Sequence, residues 1–181
     1  ESVERWEKSD LIFEKVIEEL NATLKSGVVA VRDGRDIKGL GLKAKKFSRE
    51  YGIGPFVFAT GFALRKDGYY GTFLGEGIKN FEEGAQKIKK LKKLGVDVIK
   101  VLGSGIASFN TYKKVGSVQF SLVELKKIVT LAHELGLSVM VHATSDEAVR
   151  LAVQGVVDSV EHGYCVSDST LAMMAKKGTY W

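Results

Sequence analysis

The chain has 181 residues, of which 45% are hydrophobic and 27% charged, and its net charge is +5. This composition is typical of an ordinary soluble globular protein with one core, and no apolar stretch approaches the roughly 18–20 residues that a membrane span needs. We therefore expect no membrane partner. Cys165 is the only cysteine, which excludes an intramolecular disulfide, so we expect a reducing, cytoplasmic location.

A unit of amphipathic helix, glycine and short apolar run recurs along the chain. Each glycine follows the last helical turn, where a left-handed residue is favoured. The apolar runs are rich in Val, Ile and Phe and are typical of strands buried in a parallel sheet. The unit occurs as NATLKSGVVAVRD, FSREYGIGPFVFATG, IKKLKKLGVDVIKVLGSG, AHELGLSVMVHA, RLAVQGVVDSVEHG and MAKKGTYW, the last ending as a strand begins.

The Lys-rich segment QKIKKLKKLG belongs to a predicted amphipathic helix. Its apolar positions are Phe81, Ala85, Ile88, Leu91 and Leu94. This spacing places the lysines on the opposite, solvated face. No aromatic residues alternate with the lysines to form a stacking platform, so we expect no nucleic-acid partner.

Two further helix starts carry the spacing of a capping box, in which an N-cap hydroxyl and a glutamate three residues later cap each other's backbone. Ser121 and Glu124 have this spacing in SLVE, and Thr144 and Glu147 have it in TSDE. The first pair predicts a helix from about residue 122 to residue 135.

Strand, loop and helix recur about five times, which indicates an α/β fold with parallel strands. An open doubly wound sheet and a (β/α)8 barrel of about 250 residues are the two candidates. GSGIAS after Leu102 lacks the third glycine of a dinucleotide-binding turn, and no other strand is followed by one. We therefore predict a single domain over residues 1–181 that forms a partial TIM barrel with strands missing.

Two long glycine-rich loops interrupt the repeat. The first loop comprises residues 64–80 and the second loop residues 103–120. Both follow the carboxyl ends of predicted strands, where barrels build their active sites. We expect both loops to be mobile, as lids are.

Polar side chains occupy the carboxyl ends of three consecutive predicted strands. Side chains in a strand point alternately to its two faces. Within VDVIKVL and LSVMVH this alternation assigns Lys100 and His142 each to one face of its strand, and within VVDSVEH it places Asp158, Val160 and His162 on the same face. In a barrel, Lys100, His142 and His162 would converge. His133 instead lies on a helix, one turn before its glycine cap, and is interpreted as structural.

The three residues are compatible with two chemistries. Neutral imidazoles are ligands for zinc and similar ions, and a lysine that has taken up CO₂ is a bridging carboxylate in effect. A desolvated lysine with a free amine would instead form a Schiff base with a carbonyl substrate. The structural alternative is a salt bridge from Lys100 to Asp97 or Glu161.

The segments GVDVIKVLGSG and QFSLVELKKIVTLAHELGLSVMVHATSDEAVRLAVQGVVDSVEHG resemble the metal-dependent amidohydrolase superfamily. They are most similar to its branch of imidazolonepropionase-like and Xaa-Pro-dipeptidase-like (prolidase) enzymes. SGVVAVRD and FATGFAL resemble the second and third barrel strands of that branch. The pair VHA and EHG is the most specific element.

The resemblance implies a (β/α)8 barrel with one or two divalent metals, usually zinc, and hydrolysis of amide, peptide or related C–N bonds by metal-bound hydroxide. By position, Lys100 matches the fourth-strand lysine, which is carbamylated in binuclear members. His142 and His162 match the fifth- and sixth-strand metal ligands. The substrate would be a small, dipeptide-like or cyclic-amide molecule that contacts the two loops.

The chain departs from the family pattern in several respects. It has no His-x-His pair for the first strand, no aspartate of the eighth strand, no flanking β domain, and no histidine in RKDGYYG. We therefore expect it to cover strands two to seven and to be inactive alone. A Schiff-base lyase centred on Lys100, a non-catalytic basic binding module and a homo-oligomer are left open by the sequence.

Overall fold

The structure, a computed structural model, describes residues 9–34, 39–108, 110–112 and 114–181. No helix within these ranges is long and apolar enough to cross a membrane. The elements in chain order are α1 (Ser9–Lys25), β1 (Ala30–Arg32), α2 (Leu40–Tyr51), β2 (Phe56–Phe58), β3 (Arg65–Lys66), β4 (Gly77–Ile78), α3 (Phe81–Lys93), β5 (Val98–Leu102), α4 (Leu122–Glu134), β6 (Ser138–Ala143), α5 (Asp146–Gln154), β7 (Ser159–His162) and α6 (Asp168–Lys177).

The main strands are parallel and follow one another in chain order. β1 pairs with β2, and β5, β6 and β7 form a second parallel sheet. A parallel bridge from Leu64 to Val101 joins the segment after β2 to β5, and another from Ser159 to Tyr180 adds the last residues beside β7. A doubly wound sheet reverses its strand order at a switch point. The unreversed order agrees with the predicted partial barrel.

The two faces of the β5–β6–β7 sheet differ in chemistry. Its outer face packs beneath α3, α4 and α5 in the largest core cluster. Burial of such side chains contributes about 1.5–3 kcal/mol each, so this face carries much of the stability. The inner face carries Lys100, Met140 and His142. The outer-face strand residues, all at most 1% exposed, are Ile99, Val101, Val139, Val141 and Val160.

The predicted left-handed glycine ends five of the six repeated units. These glycines, with φ values of 91°, 62°, 80°, 67° and 70°, are Gly27, Gly52, Gly95, Gly136 and Gly178. The prediction is wrong for the remaining unit, RLAVQGVVDSVEHG, where Gly155 has φ −75° and Val156 takes the left-handed conformation with φ 61°. A Cβ on Gly155 would lie 3.1 Å from Leu125, so this glycine permits α5 to approach α4 closely.

One predicted capping box is confirmed and the other is wrong. Ser121 and Glu124 cap α4 reciprocally. The N-cap of α5 is Ser145 rather than Thr144. The Thr144 hydroxyl is hydrogen-bonded elsewhere, at the end of β6, as described below.

Helix α3 has the predicted amphipathic orientation except at its end. Ile88 and Leu91 are fully buried, and the lysines of the last turn are exposed. Leu94, expected on the apolar face, is 51% exposed because the helix ends at Lys93 and Leu94 is its C-cap.

Both long loops contain local structure. The first loop holds β3 and β4, which pair with each other in parallel. The second loop is crossed by antiparallel bridges from Ser104 to Val118 and from Ala107 to Val115. Both loops leave the carboxyl ends of barrel strands, as predicted; their mobility stays a prediction.

Candidate metal centre

Lys100 lies in the middle of β5, and His142 and His162 lie at the carboxyl ends of β6 and β7. Lys100 pairs with Met140 in the sheet register, so its backbone lies about 7 Å below the level of His142, two residues further along. Lys100 is 7% exposed and His142 8% exposed, whereas His162 is exposed. The three predicted site residues therefore line one end of the sheet at two depths.

The two imidazoles are in contact. The ring centroids of His142 and His162 lie 4.8 Å apart, with the rings inclined at 74°. The Tyr70 ring also stacks on His142, at 6.0 Å between centroids. The predicted convergence of the two histidines is thus confirmed, and their role stays a prediction.

His162 reaches this position by breaking the alternation of β7. Val160 packs in the outer core, so strict alternation would also direct His162 outward. His162 instead has φ 71°, in the left-handed region, and its ring turns towards His142. The predicted common face of Asp158, Val160 and His162 is therefore wrong, because the strand ends in a turn that redirects the last side chain.

A buried hydrogen-bond network that the sequence did not predict contacts His142. The Nε2 atom of His142 lies 3.3 Å from the carbonyl oxygen of Gly105. The Thr144 hydroxyl donates to the same oxygen at 2.6 Å, and the Thr144 amide donates to the Ser104 hydroxyl at 3.0 Å. The TSDE motif thus provides a residue that fixes the start of the second loop against β6.

Burial lowers the pKa of both histidines. For His142 the pKa falls to about 4, chiefly because of desolvation, with smaller contributions from the charges of His162 and Lys100. For His162 the pKa is lowered by burial and by the charge of Lys100, against the opposing effect of Glu161. Both rings are therefore neutral at physiological pH, the form that binds metal ions.

The predicted structural partners of Lys100 are engaged elsewhere. Asp97 pairs with Lys45 at 2.7 Å, and Glu161 pairs with Arg32 at 2.7 Å. Within the described ranges no salt bridge to Lys100 occurs. Burial lowers the pKa of Lys100 to about 8, although the Glu161 charge acts in the opposite direction.

Arg32 and Glu161 form a polar layer beside Lys100 that the sequence reasoning missed. Arg32 donates to the Ser159 hydroxyl at 2.9 Å and to the Glu161 carboxylate at 2.7 Å, so β1 is joined to β7 across the interior. The signal was available, because Arg32 ends the apolar run VVAVR much as Lys100 lies within its own run.

His133 lies apart from this site, as predicted. Its Nε2 atom is 2.9 Å from an Asp158 carboxylate oxygen. That carboxylate also accepts a hydrogen bond from the Val139 amide at 2.7 Å. The contact ties α4 to the sheet on its outer side, a structural position.

The residues present fit part of a metal centre. Two neutral imidazoles in contact are suitable nitrogen donors for zinc, and a carbamate on Lys100 would add an oxygen donor. In the described part of the chain, no group of three or more His, Cys, Asp or Glu side chains is arranged to hold a metal ion. The chain therefore contributes two ready donors and one that requires CO₂.

The chain is similar to proteins of one known family. The sequence matches the model of the amidohydrolase family over residues 12–181. Comparison with curated proteins finds no match.

Several solved structures share the fold. A crystal structure of an amidohydrolase superposes with a TM-score of 0.80 at 27% identity, covering 94% of this chain and 46% of that one. A Xaa-Pro dipeptidase with methionine in its active site gives 0.78 at 24%, covering 90% and 44%. A prolidase complexed with N-methylphosphonate-L-proline gives 0.74 at 24%, covering 90% and 44%. The chain thus spans less than half the length of these relatives.

Proposed function

The chain belongs to the amidohydrolase family, and from this premise we propose that the whole protein is a metal-dependent hydrolase of amide or peptide bonds. The contact between the His142 and His162 rings, 4.8 Å between centroids at the strand ends, carries the proposal. Both rings are neutral near pH 7 because burial lowers their pKa, so both can donate a lone pair to a cation.

Each residue has a separate task in this proposal. His142 and His162 would hold a divalent ion, most suitably zinc, and Lys100, once carbamylated, would add an oxygen ligand. The lowered pKa of Lys100, about 8, favours carbamylation because CO₂ reacts with the unprotonated amine. A bound metal would act as a Lewis acid that polarises the scissile carbonyl and lowers the pKa of the attacking water.

We assign the substrate to the class of dipeptide-like or cyclic-amide molecules. Similar structures hold methionine or N-methylphosphonate-L-proline, which supports a small substrate with an amino-acid part. In this chain the first and second loops border the histidines, through Tyr70 and Gly105 respectively. The discrimination between substrates is therefore placed in these loops.

Residues 1–181 alone are proposed to be inactive. Their candidate donors are His142, His162 and Lys100. A protonated lysine cannot bind a metal ion, so in that state only the two histidines remain, whereas an ordinary catalytic zinc site has three protein ligands and a water. Zinc binding by the 181-residue chain should accordingly be weaker than zinc binding by the full-length protein.

The test uses the full-length protein after removal and return of zinc. Wild-type activity on a dipeptide panel should disappear with a chelator and return with zinc. His142→Ala should lower metal affinity by more than about tenfold, since loss of a residue that merely hydrogen-bonds a metal ligand already costs about that much. His133→Ala is the matched control because that ring lies on the outer side with Asp158, and it should bind metal normally. Normal metal content and activity in His142→Ala would refute the proposal.

A Schiff-base lyase is the second candidate, and the pKa of Lys100, lowered to about 8, is the observation that favours it. A partly unprotonated, buried lysine is a nucleophile for carbonyl compounds. Borohydride would trap a substrate adduct on Lys100 in a lyase and none in the hydrolase. An active, metal-free enzyme with a trapped adduct would replace the first proposal.

A further inference from the structure

Gln119 is a buried amide that connects the first and second loops. Its side chain lies near the end of the second loop and the residue is 4% exposed. The Oε1 atom accepts a hydrogen bond from the Lys66 amide at 3.0 Å. The Nε2 atom donates to the carbonyl oxygens of Tyr70 at 3.1 Å and Ser104 at 3.3 Å. One side chain therefore satisfies backbone groups at two points of the first loop and at the start of the second.

Both connections lead to the same imidazole. On one side, the backbone of Tyr70 is held by Gln119 while its ring stacks on His142. On the other, Ser104 is held by Gln119 and bonds Thr144, whose hydroxyl shares the Gly105 carbonyl oxygen with His142. The position of the His142 ring thus depends on both loops at once.

Two other polar side chains bond within a single loop. Among the described residues, the buried Arg65 donates to carbonyl groups of the first loop, those of Gly75, Lys66 and Tyr69. The Ser108 hydroxyl accepts from the Asn110 and Thr111 amides within the second loop. These residues provide single-loop controls for Gln119.

We propose that Gln119 is a positioning residue that makes the two loops a single unit and holds both Tyr70 and Gly105 against the His142 ring. Its catalytic consequence rests on the hydrolase proposed above, whereas the coupling of the loops does not. Removal of the amide leaves buried backbone groups in both loops without their partner, and buried polar groups without partners favour local opening. Both loops should therefore open together.

The first experiment measures hydrogen exchange in the full-length protein. Gln119→Leu should raise exchange rates about tenfold or more in residues 64–80 and 103–120 alike. Arg65→Met should affect only the first loop, and Ser108→Ala only the second. Faster exchange confined to the second loop, or unchanged exchange, would overturn the proposed coupling whether or not the protein is a hydrolase.

Gln119→Glu guards against a failure of Gln119→Leu to fold. It keeps the volume and the acceptor for the Lys66 amide, while its carboxylate cannot donate to Tyr70 or Ser104. The expected result is retained protection at Lys66 with faster exchange at the start of the second loop. Equal protection at both places would contradict the assigned hydrogen bonds.

The second experiment measures catalysis by a double-mutant cycle. Gln119→Leu and Tyr70→Ala should each lower kcat/KM about tenfold with bound zinc unchanged, and the double variant should lose clearly less than the product of the two single losses, since part of the Gln119 effect passes through the Tyr70 ring contact. Additive losses would mean that Gln119 does not act through Tyr70. If no variant and no wild-type protein hydrolyses the panel, the proposed function fails while the exchange result still decides the coupling.

Discussion

At the residue scale, the backbone of Val156 is strained. Its φ of 61° lies in the left-handed region, where a β-branched side chain crowds the following carbonyl at a cost of about 1–2 kcal/mol. Gly155, which would adopt this conformation freely, is required one position earlier by its close contact with Leu125. The chain therefore tolerates strain at one residue in order to pack the adjacent one.

Val156→Asn should raise the free energy of unfolding by about 0.5–1 kcal/mol, because asparagine enters the left-handed region more readily than valine. Val156 is half exposed, so little burial is lost. Urea denaturation is the measurement. Val123→Asn, at an exposed helical valine, is the matched control and should be close to neutral. A less stable Val156→Asn would show that the conformation is not strained.

The hydrogen bonds of Asp146 predict that the stability of the protein depends on pH. Its carboxylate accepts hydrogen bonds from the Ser167 amide at 2.8 Å and hydroxyl at 2.9 Å, linking the starts of α5 and α6. The Ser167 amide is the main cause that holds the pKa of Asp146 below its ordinary value of 3.8. A lowered folded-state pKa contributes stability above pH 3.8 that is lost as the pH falls through the folded value.

Asp146→Asn should therefore destabilise the protein by about 1 kcal/mol at pH 7, a modest value for a partly exposed charged hydrogen bond. The difference from wild type should shrink towards zero as the pH is lowered well below 3.8. Denaturation curves at several pH values measure it. Glu147→Gln, at the exposed neighbour in the same helix turn, removes an equal charge without the Ser167 contact. An equal loss in both variants would leave only a helix-dipole effect.

At the element scale, the spacing of α4 and α5 is set by Gly155. A Cβ there would lie 3.1 Å from Leu125 Cγ and Cδ2 and 3.2 Å from the Leu151 carbonyl oxygen. Leu125 is 2% exposed within the main core, so it has little room to move. The helices could accept a methyl group only by separating.

Gly155→Ala should lower the free energy of unfolding by about 1–3 kcal/mol, as overpacking does. Its φ of −75° suits alanine, so the loss would come from packing rather than backbone strain. Gly34→Ala is the control, since among the described residues its Cβ would meet Met140 at an ordinary 3.5 Å. Thermal unfolding compares the two. If the overlap with Leu125 is the cause, Gly155→Ala should destabilise the protein less when Leu125 is already alanine. An equal destabilisation in the Leu125→Ala background would contradict this account.

At the scale of the whole molecule, Arg32 joins the ends of the strand arc. It lies on β1 and contacts Ser159 and Glu161 of β7, so residues 129 positions apart in sequence meet across the barrel interior. The pair is only partly buried, with side chains 41% and 25% exposed. Its contribution to stability is therefore about 1 kcal/mol or less.

Arg32→Met should loosen the docking of residues 9–58 without unfolding the β5–β6–β7 sheet. Hydrogen exchange should rise several-fold in β1 and β2 and stay unchanged in β6. Arg49→Met removes a longer, more exposed ion pair to Asp97 at 3.5 Å and should change exchange less. Equal exchange changes in both variants would show that the interior pair has no special role.

The sequence by itself determined the repeated units, the parallel α/β fold and the inward placement of Lys100 and His142. These features depend on helical periodicity, strand alternation and cap chemistry, all of which act over a few residues. The five left-handed glycines follow from the same local patterns, whereas the family was indicated by the resemblance of the VHA and EHG segments to its members. The clustering of His142 with His162 was also predictable, since consecutive parallel strands end at one edge of a sheet.

Only the tertiary structure decided how the site is completed. The turn at His162, the use of Thr144 in the second loop rather than as a cap, and the ion pair of Arg32 each depend on which distant backbone and side-chain groups meet. The same holds for Gln119, whose amide reaches Lys66, 53 residues away. Such contacts depend on how the elements pack against one another, which no pattern within a single element encodes.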